Sequence, residues 1–182
     1  MRRVLALALV VGLGLLAGCS ALRSAADPDA SPTKLAFDWP AGASGAACEL
    51  LDYGQVGREL GTTFDTAGGA HIDDTYTCVL TQKGHDFPDL TLALSATSAD
   101  DLVFTISVAP SGSTAVKGLG RAAYLLQLPA AGNRGPVVEY GWLSARPRLT
   151  TVRYTFATDA TATDVSAMIT KLLTLAKRVE NT

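Results

Sequence analysis

Two short runs carry the residue types that bind metals or move protons: His71-Ile72-Asp73-Asp74 and His85-Asp86. An imidazole beside carboxylates can hold a cation or relay a proton, but a bound metal needs three or four ligands converging on one point. Gly68-Gly69 precedes the first run and Gly84 the second, so both read as solvated turns rather than as a metal site. A serine nucleophile requires an elbow of the form Gly-x-Ser-x-Gly between a strand and a helix. Neither Gly42-Ala43-Ser44-Gly45 nor Ser111-Gly112-Ser113 fits. Gly118-Leu119-Gly120 has the opening spacing of a phosphate loop, but no helix-opening glycine follows, and it reads as a tight turn leading into a strand. No catalytic residue, metal or cofactor is expected, and the chain is read as a non-enzyme.

Tyr140, Trp142 and Tyr154 are the remaining candidates. Residues two apart in a strand share a face, which pairs Tyr140 with Trp142, and Tyr154 falls across from them on the next strand. Such a face can line a ligand groove or a contact patch. It is also the ordinary composition of a core, and the outcome depends on how much of the sheet the helices cover. An open face favours binding. A covered one favours a structural role.

The N-terminus carries a different chemistry. Arg2 and Arg3 precede an apolar run, Val4 to Leu16, which closes in Leu16-Ala17-Gly18-Cys19. This layout of charge, apolar stretch and small residues is that of an export signal, and its last four residues resemble the bacterial lipobox. The apolar run enters the bilayer, the small residues fit a peptidase, and the Cys19 thiol accepts a diacylglyceryl group before cleavage. The competing reading is an uncleaved membrane-spanning helix, since about 18 apolar residues can cross a bilayer. Gly12, Gly14 and Gly18 weaken that helix, so residues 1–18 are read as a lipoprotein signal peptide. Residues 19–40 hold Asp27-Pro28-Asp29, Ser31-Pro32 and Trp39-Pro40 without any period, and read as a tether. Residues 41–182 are then the folded domain, lipid-anchored on the extracytoplasmic face of the cell membrane. More than one acyl chain, palmitate among them, makes such an anchor stable.

With Cys19 lipidated, Cys48 and Cys78 remain, an even pair in an oxidising compartment. One disulfide is the favoured outcome. Two buried thiols or a two-cysteine metal site are the alternatives, the latter short of ligands. The full chain has 15 basic and 17 acidic residues. Without Arg2 and Arg3 the basic count falls to 13, a net charge of −4. Only Arg146, Arg148 and Arg153 cluster, so the basic stripe that displaces counterions from nucleic acid is missing.

The periodicity describes an α+β domain. Asp52 caps a helix over 53–60, with Gln55 three residues on, a Leu51–Val56 staple and Gly61 at its C-terminal end. Thr75 to Thr81 is a β-branched strand. Residues 90–97 alternate, and residues 102–108 alternate again through Leu102, Phe104, Ile106 and Val108. Those two segments are expected to form an antiparallel hairpin across Ser98-Ala99-Asp100-Asp101. Residues 123–128 form another strand, and 137–144 with 149–157 a second hairpin across Arg146-Pro147-Arg148. Val165, Met168, Ile169, Leu172, Leu175, Ala176 and Val179 recur at helical spacing, behind a Thr161 or Thr163 cap and ahead of Lys177 and Arg178. The expectation is one antiparallel sheet of about five strands, with a short N-terminal and a longer C-terminal helix on one face.

Several of these marks together resemble a family of small actinobacterial lipoproteins of unknown function. They are the lipobox, Cys48-x-Leu50-Leu51-Asp52 opening a helix that ends in Leu60-Gly61, Cys78 in the first strand, and Val116-Lys117-Gly118-Leu119-Gly120 ahead of Ala122-Ala123. The family is similar in layout to extracellular sensor domains of actinobacterial receptor kinases and to PsbP-type domains. The resemblance implies a Cys48–Cys78 disulfide and no catalytic residues. The functional expectation is a non-catalytic binding module at the cell envelope, contacting an envelope protein or cell-wall component. A carrier or sensor of a lipid or other apolar small molecule is the alternative. An envelope hydrolase ranks last.

Overall fold

A computed structural model describes residues 45–182. Residues 1–18, read above as a signal peptide, Cys19, residues 19–40, read as a tether, and Ser44 lie outside the described residues. A 3₁₀ turn, Ala46–Leu50, leads into helix α1, Tyr53–Leu60. Asp52 caps α1 by accepting a hydrogen bond from the Gln55 N–H at 2.7 Å. The Gln55 side chain turns forward to Glu59 instead of closing a capping box. Leu51 and Val56 are both buried, as a staple requires. Gly61 ends the helix in the left-handed region (φ 74°), where a side chain would be strained.

Among the described residues seven strands make one antiparallel sheet: β1 Thr66–Ile72, β2 Thr75–Thr81, β3 Asp89–Ala96, β4 Thr114–Val116, β5 Ala122–Leu128, β6 Val137–Leu143 and β7 Arg148–Thr155. Their spatial order is β1-β2-β3-β7-β6-β5-β4. Helix α3, Ala162–Glu180, follows β7 and opens in a full capping box between Thr161 and Asp164. The α3 residues Met168, Leu172, Leu175, Ala176 and Val179 are buried with Val56 and Leu60 of α1. Beneath them lie Cys78, Leu80, Leu90, Leu92, Val138 and Val152 of the sheet. Each large aliphatic side chain in this layer contributes about 1.5–3 kcal/mol, which is why both helices lie on the same face. Lys171 reinforces the arrangement by donating to the Leu60 carbonyl at 3.0 Å, and Arg178 pairs with Glu59 at 3.1 Å.

Cys48 and Cys78 form a disulfide. It joins the 3₁₀ turn to β2, so the chain leading into α1 is held against the sheet.

The 102–108 segment is not a strand. A short helix α2, Asp101–Val103, runs into a π turn, Phe104–Val108, and β3 pairs with β2 and β7 instead. Asp100 explains the switch, because its carboxylate accepts from the Val103 N–H at 2.8 Å and starts a helical turn. Once the turn forms, Phe104 and Val108, four apart, point the same way. They reach a second small core with Tyr124, Leu126 and Leu143 on the sheet face opposite α3. The 101–108 segment is therefore a strap across β5 and β6. The sheet also exceeds the expected count. In β1 Gly68 and Gly69 mask a strand whose residues are nearly all exposed, and β4 is too short for any alternation to show.

Gly141 sits opposite Tyr124 in the β5–β6 register, and the Tyr124 side chain lies over it. A Cβ at 141 would clash with the Cζ, Cε1 and hydroxyl of that ring. Gly141→Ala is expected to destabilise the domain by about 1–3 kcal/mol through overpacking. Urea denaturation would read this as a lower midpoint at unchanged slope, and a midpoint equal to the parent's would refute it.

Candidate functional site

The three aromatic candidates are brought together, but under α3. Tyr140, Trp142 and Tyr154 are all buried. The Tyr140 hydroxyl donates to the Ile169 carbonyl at 3.0 Å, and the Trp142 Nε1–H donates to Glu180 at 2.7 Å. Tyr154 shares a hydrogen bond of 2.8 Å with Thr62 and packs edge-on against Phe64 and Phe156. Burial raises the pKa of both tyrosines. Each polar tip is satisfied by the fold itself, so this face is core.

The histidine runs stay apart. His71 lies at the end of β1, its ring stacked on Tyr76 at 3.9 Å, while Asp73 and Asp74 make the β1–β2 turn. His85 and Asp86 are exposed in the loop before β3. Among the described residues no three metal-binding side chains converge. Ser111 and Ser113 lie in an exposed turn before β4. Gly118 and Gly120 shape the turn before β5 with φ of 75° and 54°. A Cβ at Gly120 would strike the Leu143 carbonyl, so a tight approach to β6 accounts for the glycine. That turn borders a groove of about 450 Å³, also lined by Arg121, Ala145, Lys177 and Glu180. Two of its charged side chains are engaged within the fold: Arg121 pairs with Asp101 at 2.6 Å, and Glu180 accepts from Trp142 and from the Ala145 N–H.

The other face of the sheet holds what sequence reading passed over. Where the strap ends, β7, β3 and β2 present a half-exposed floor instead of a second buried layer. It comprises Thr151 and Arg153, then Thr91, Ala93 and Ser95, then Thr77 and Val79. These are the alternate residues of strands whose other set is core. A line of polar groups crosses it. The Tyr124 hydroxyl donates to Glu139 at 2.8 Å, and Arg153 Nε donates to the other Glu139 oxygen at 2.5 Å. Asp89 accepts from the Thr91 hydroxyl at 3.2 Å. Glu139 is almost fully buried, while the Arg153 side chain is 47% exposed.

Burial and the Glu139 charge push the Tyr124 hydroxyl far above its usual range, with Arg153 opposing. Burial also raises the Asp89 carboxyl, while hydrogen bonds from Thr155 and Thr91 and the Arg153 charge pull it down. Burial keeps the Tyr124 phenol protonated, and the groups hydrogen-bonded to Asp89 are the hydroxyls of Thr91 and Thr155. The arrangement can offer hydroxyls, one cation and a carboxylate to a polar ligand laid on the sheet. The alternation in β3 shows in the sequence. Glu139 does not, because it sits inside Val137–Leu143, a strand buried along its whole length, where it reads as an interruption.

The chain matches no family model, no curated protein and no solved structure. Among the described residues no helix is long and apolar enough to cross a membrane.

Proposed function

We propose that this chain is a lipoprotein held at the extracytoplasmic face of the cell membrane through Cys19, like the small actinobacterial lipoproteins it resembles. Its domain is a non-catalytic binding module for a hydroxyl-rich component of the cell envelope, such as a cell-wall glycan. The observation that carries this reading is the half-exposed floor of Thr77, Thr91, Thr151, Arg153 and Asp89. Its groups favour a ligand that both donates and accepts hydrogen bonds over an apolar protein surface.

Thr151 lies on the floor beside Ala93 of its middle strand, so Thr151→Arg would block it while leaving the α3 core untouched. Cosedimentation with purified cell-wall glycan is expected to show the parent pelleting and the variant bound at least about tenfold more weakly, a loss of roughly 1.4 kcal/mol. Thermal stability should not change. A parent domain that pellets with no envelope glycan would sink the proposal.

The lipid-carrier reading has one feature in its favour, a niche under the strap lined by Phe104, Ala109, Val116, Ala122 and Tyr124 together with Thr105 and Ser113. Its volume of about 260 Å³ falls below the roughly 300–1,000 Å³ of usual ligand sites, so the glycan reading is preferred. Native mass spectrometry separates the two, because a carrier keeps an extra mass that denaturation removes.

A further inference from the structure

The strap faces two ways. Phe104 points inward and stacks on Tyr124 with ring centroids 5.9 Å apart. Leu102 and Ile106, one turn apart, point out and are 66% and 69% exposed, with Val103 beside them at 41%. Exposed apolar residues scattered singly need no explanation, but three within five residues of one turn are a patch. The other large exposed apolar side chains among the described residues, Ile72 and Tyr76, lie on the β1–β2 hairpin at the far edge of the sheet.

Several polar groups of the strap are satisfied from within. The Phe104 N–H donates to the Asp100 carbonyl at 2.9 Å and the Ala109 N–H to the Phe104 carbonyl at 2.8 Å. The Val103 N–H is taken by the Asp100 carboxylate, and the Thr105 hydroxyl donates to the Asp101 carbonyl at 2.7 Å. Asp101 is neutralised by Arg121. Backbone groups that close on themselves in this way let the apolar side chains meet an apolar surface without leaving those groups unpaired.

The chain outside the described residues names the occupant. Cys19, the expected lipid attachment, precedes Gly45 by 26 residues, which keeps the domain within roughly 90 Å of its anchor. A second contact with the same bilayer is intramolecular, at an effective concentration of order mM, so even a weak apolar contact is populated. A soluble partner has no such advantage. We infer that Leu102, Val103 and Ile106 enter the headgroup–acyl boundary of the membrane that holds Cys19, fixing how the domain is turned on its tether. The inference rests on the anchoring reading of Cys19. Because the contact is apolar and the chain from Cys19 onward is net negative, it should persist in high salt and need no anionic lipid.

The test uses residues 19–182 coupled through Cys19, the one thiol outside the disulfide, to a maleimide lipid in phosphatidylcholine vesicles. Amide hydrogen exchange of the strap is the readout. Exchange across 101–108 is expected to slow by about tenfold or more on anchoring, at low and high salt alike. The Leu102→Ser, Ile106→Ser double variant should keep its thermal stability and lose the slowing. Equal strap exchange on vesicles and in solution overturns the inference, as does slowing that survives in the double variant. Slowing that vanishes in high salt also overturns it. Mass spectrometry of the full chain extracted from exporting cells tests the anchor separately. A Cys19 without lipid ends the anchoring reading and removes the ground for this inference, whatever the vesicles show.

Discussion

Trp142→Ala is expected to cost the domain about 3–5 kcal/mol, the range for truncating a fully buried large aromatic. Trp142 lies mid-sheet, paired with Ala123 on β5 and Thr150 on β7, with no exposure at all. Removing the indole leaves a cavity under α3 and takes away the Glu180 partner that ties the last turn of that helix to β6. Glu180 also accepts from the Ala145 N–H, so the loop between β6 and β7 loosens with it. Urea denaturation followed by circular dichroism would show the midpoint falling. Trp142→Phe keeps most of the volume and should lose less than half as much. An alanine variant as stable as the parent but unable to bind would return Trp142 to the ligand-binding role its position on an aromatic strand suggested.

Replacing Cys48 and Cys78 together by alanine should cost roughly 3–4 kcal/mol, because the bond closes a loop of about 31 residues in the unfolded chain. For a domain of this size that lowers the melting temperature by roughly 10–15 °C. The loss arises mainly in the unfolded state, so the structure of the surviving folded molecules should change little. The bond spans the 3₁₀ turn and β2, so local exchange should rise there before it rises in α3. Thiol titration of the parent under denaturing conditions should find neither cysteine. A double variant that melts with the parent would show that the covering helices alone hold the N-terminal segment.

Much of the fold was legible where one local rule settled the outcome. Asp52, Gln55 and Gly61 bounded α1, and the apolar spacing from Val165 to Val179 placed α3 together with the face it buries. The β6–β7 hairpin followed from two apolar runs around Arg146-Pro147-Arg148. Reading failed where two rules competed. Leu102, Phe104, Ile106 and Val108 alternate like a strand, but a helical turn puts Phe104 and Val108 on one side equally well, and the Asp100 cap tips the balance. In β1, Gly68 and Gly69 give neither alternation nor burial. That strand exists because its backbone completes the ladder with β2, a property no side chain reports.

The site divides along the same line. Residue chemistry in the sequence determined a strand-and-helix domain and two cysteines able to pair, and it is the ground for the proposal that the N-terminus is exported and lipidated. It could nominate Tyr140, Trp142 and Tyr154 as one face without saying what covers that face. Only the tertiary structure decided that α3 closes over them, and that the alternate residues of β2, β3 and β7 are left half-exposed. It also linked Glu139, inside an otherwise buried strand, to Tyr124 and Arg153. The physical reason is that alternation assigns residues to the two sides of a strand, whereas burial depends on which side the rest of the chain packs against. That choice is set by the summed contacts of elements distant in sequence.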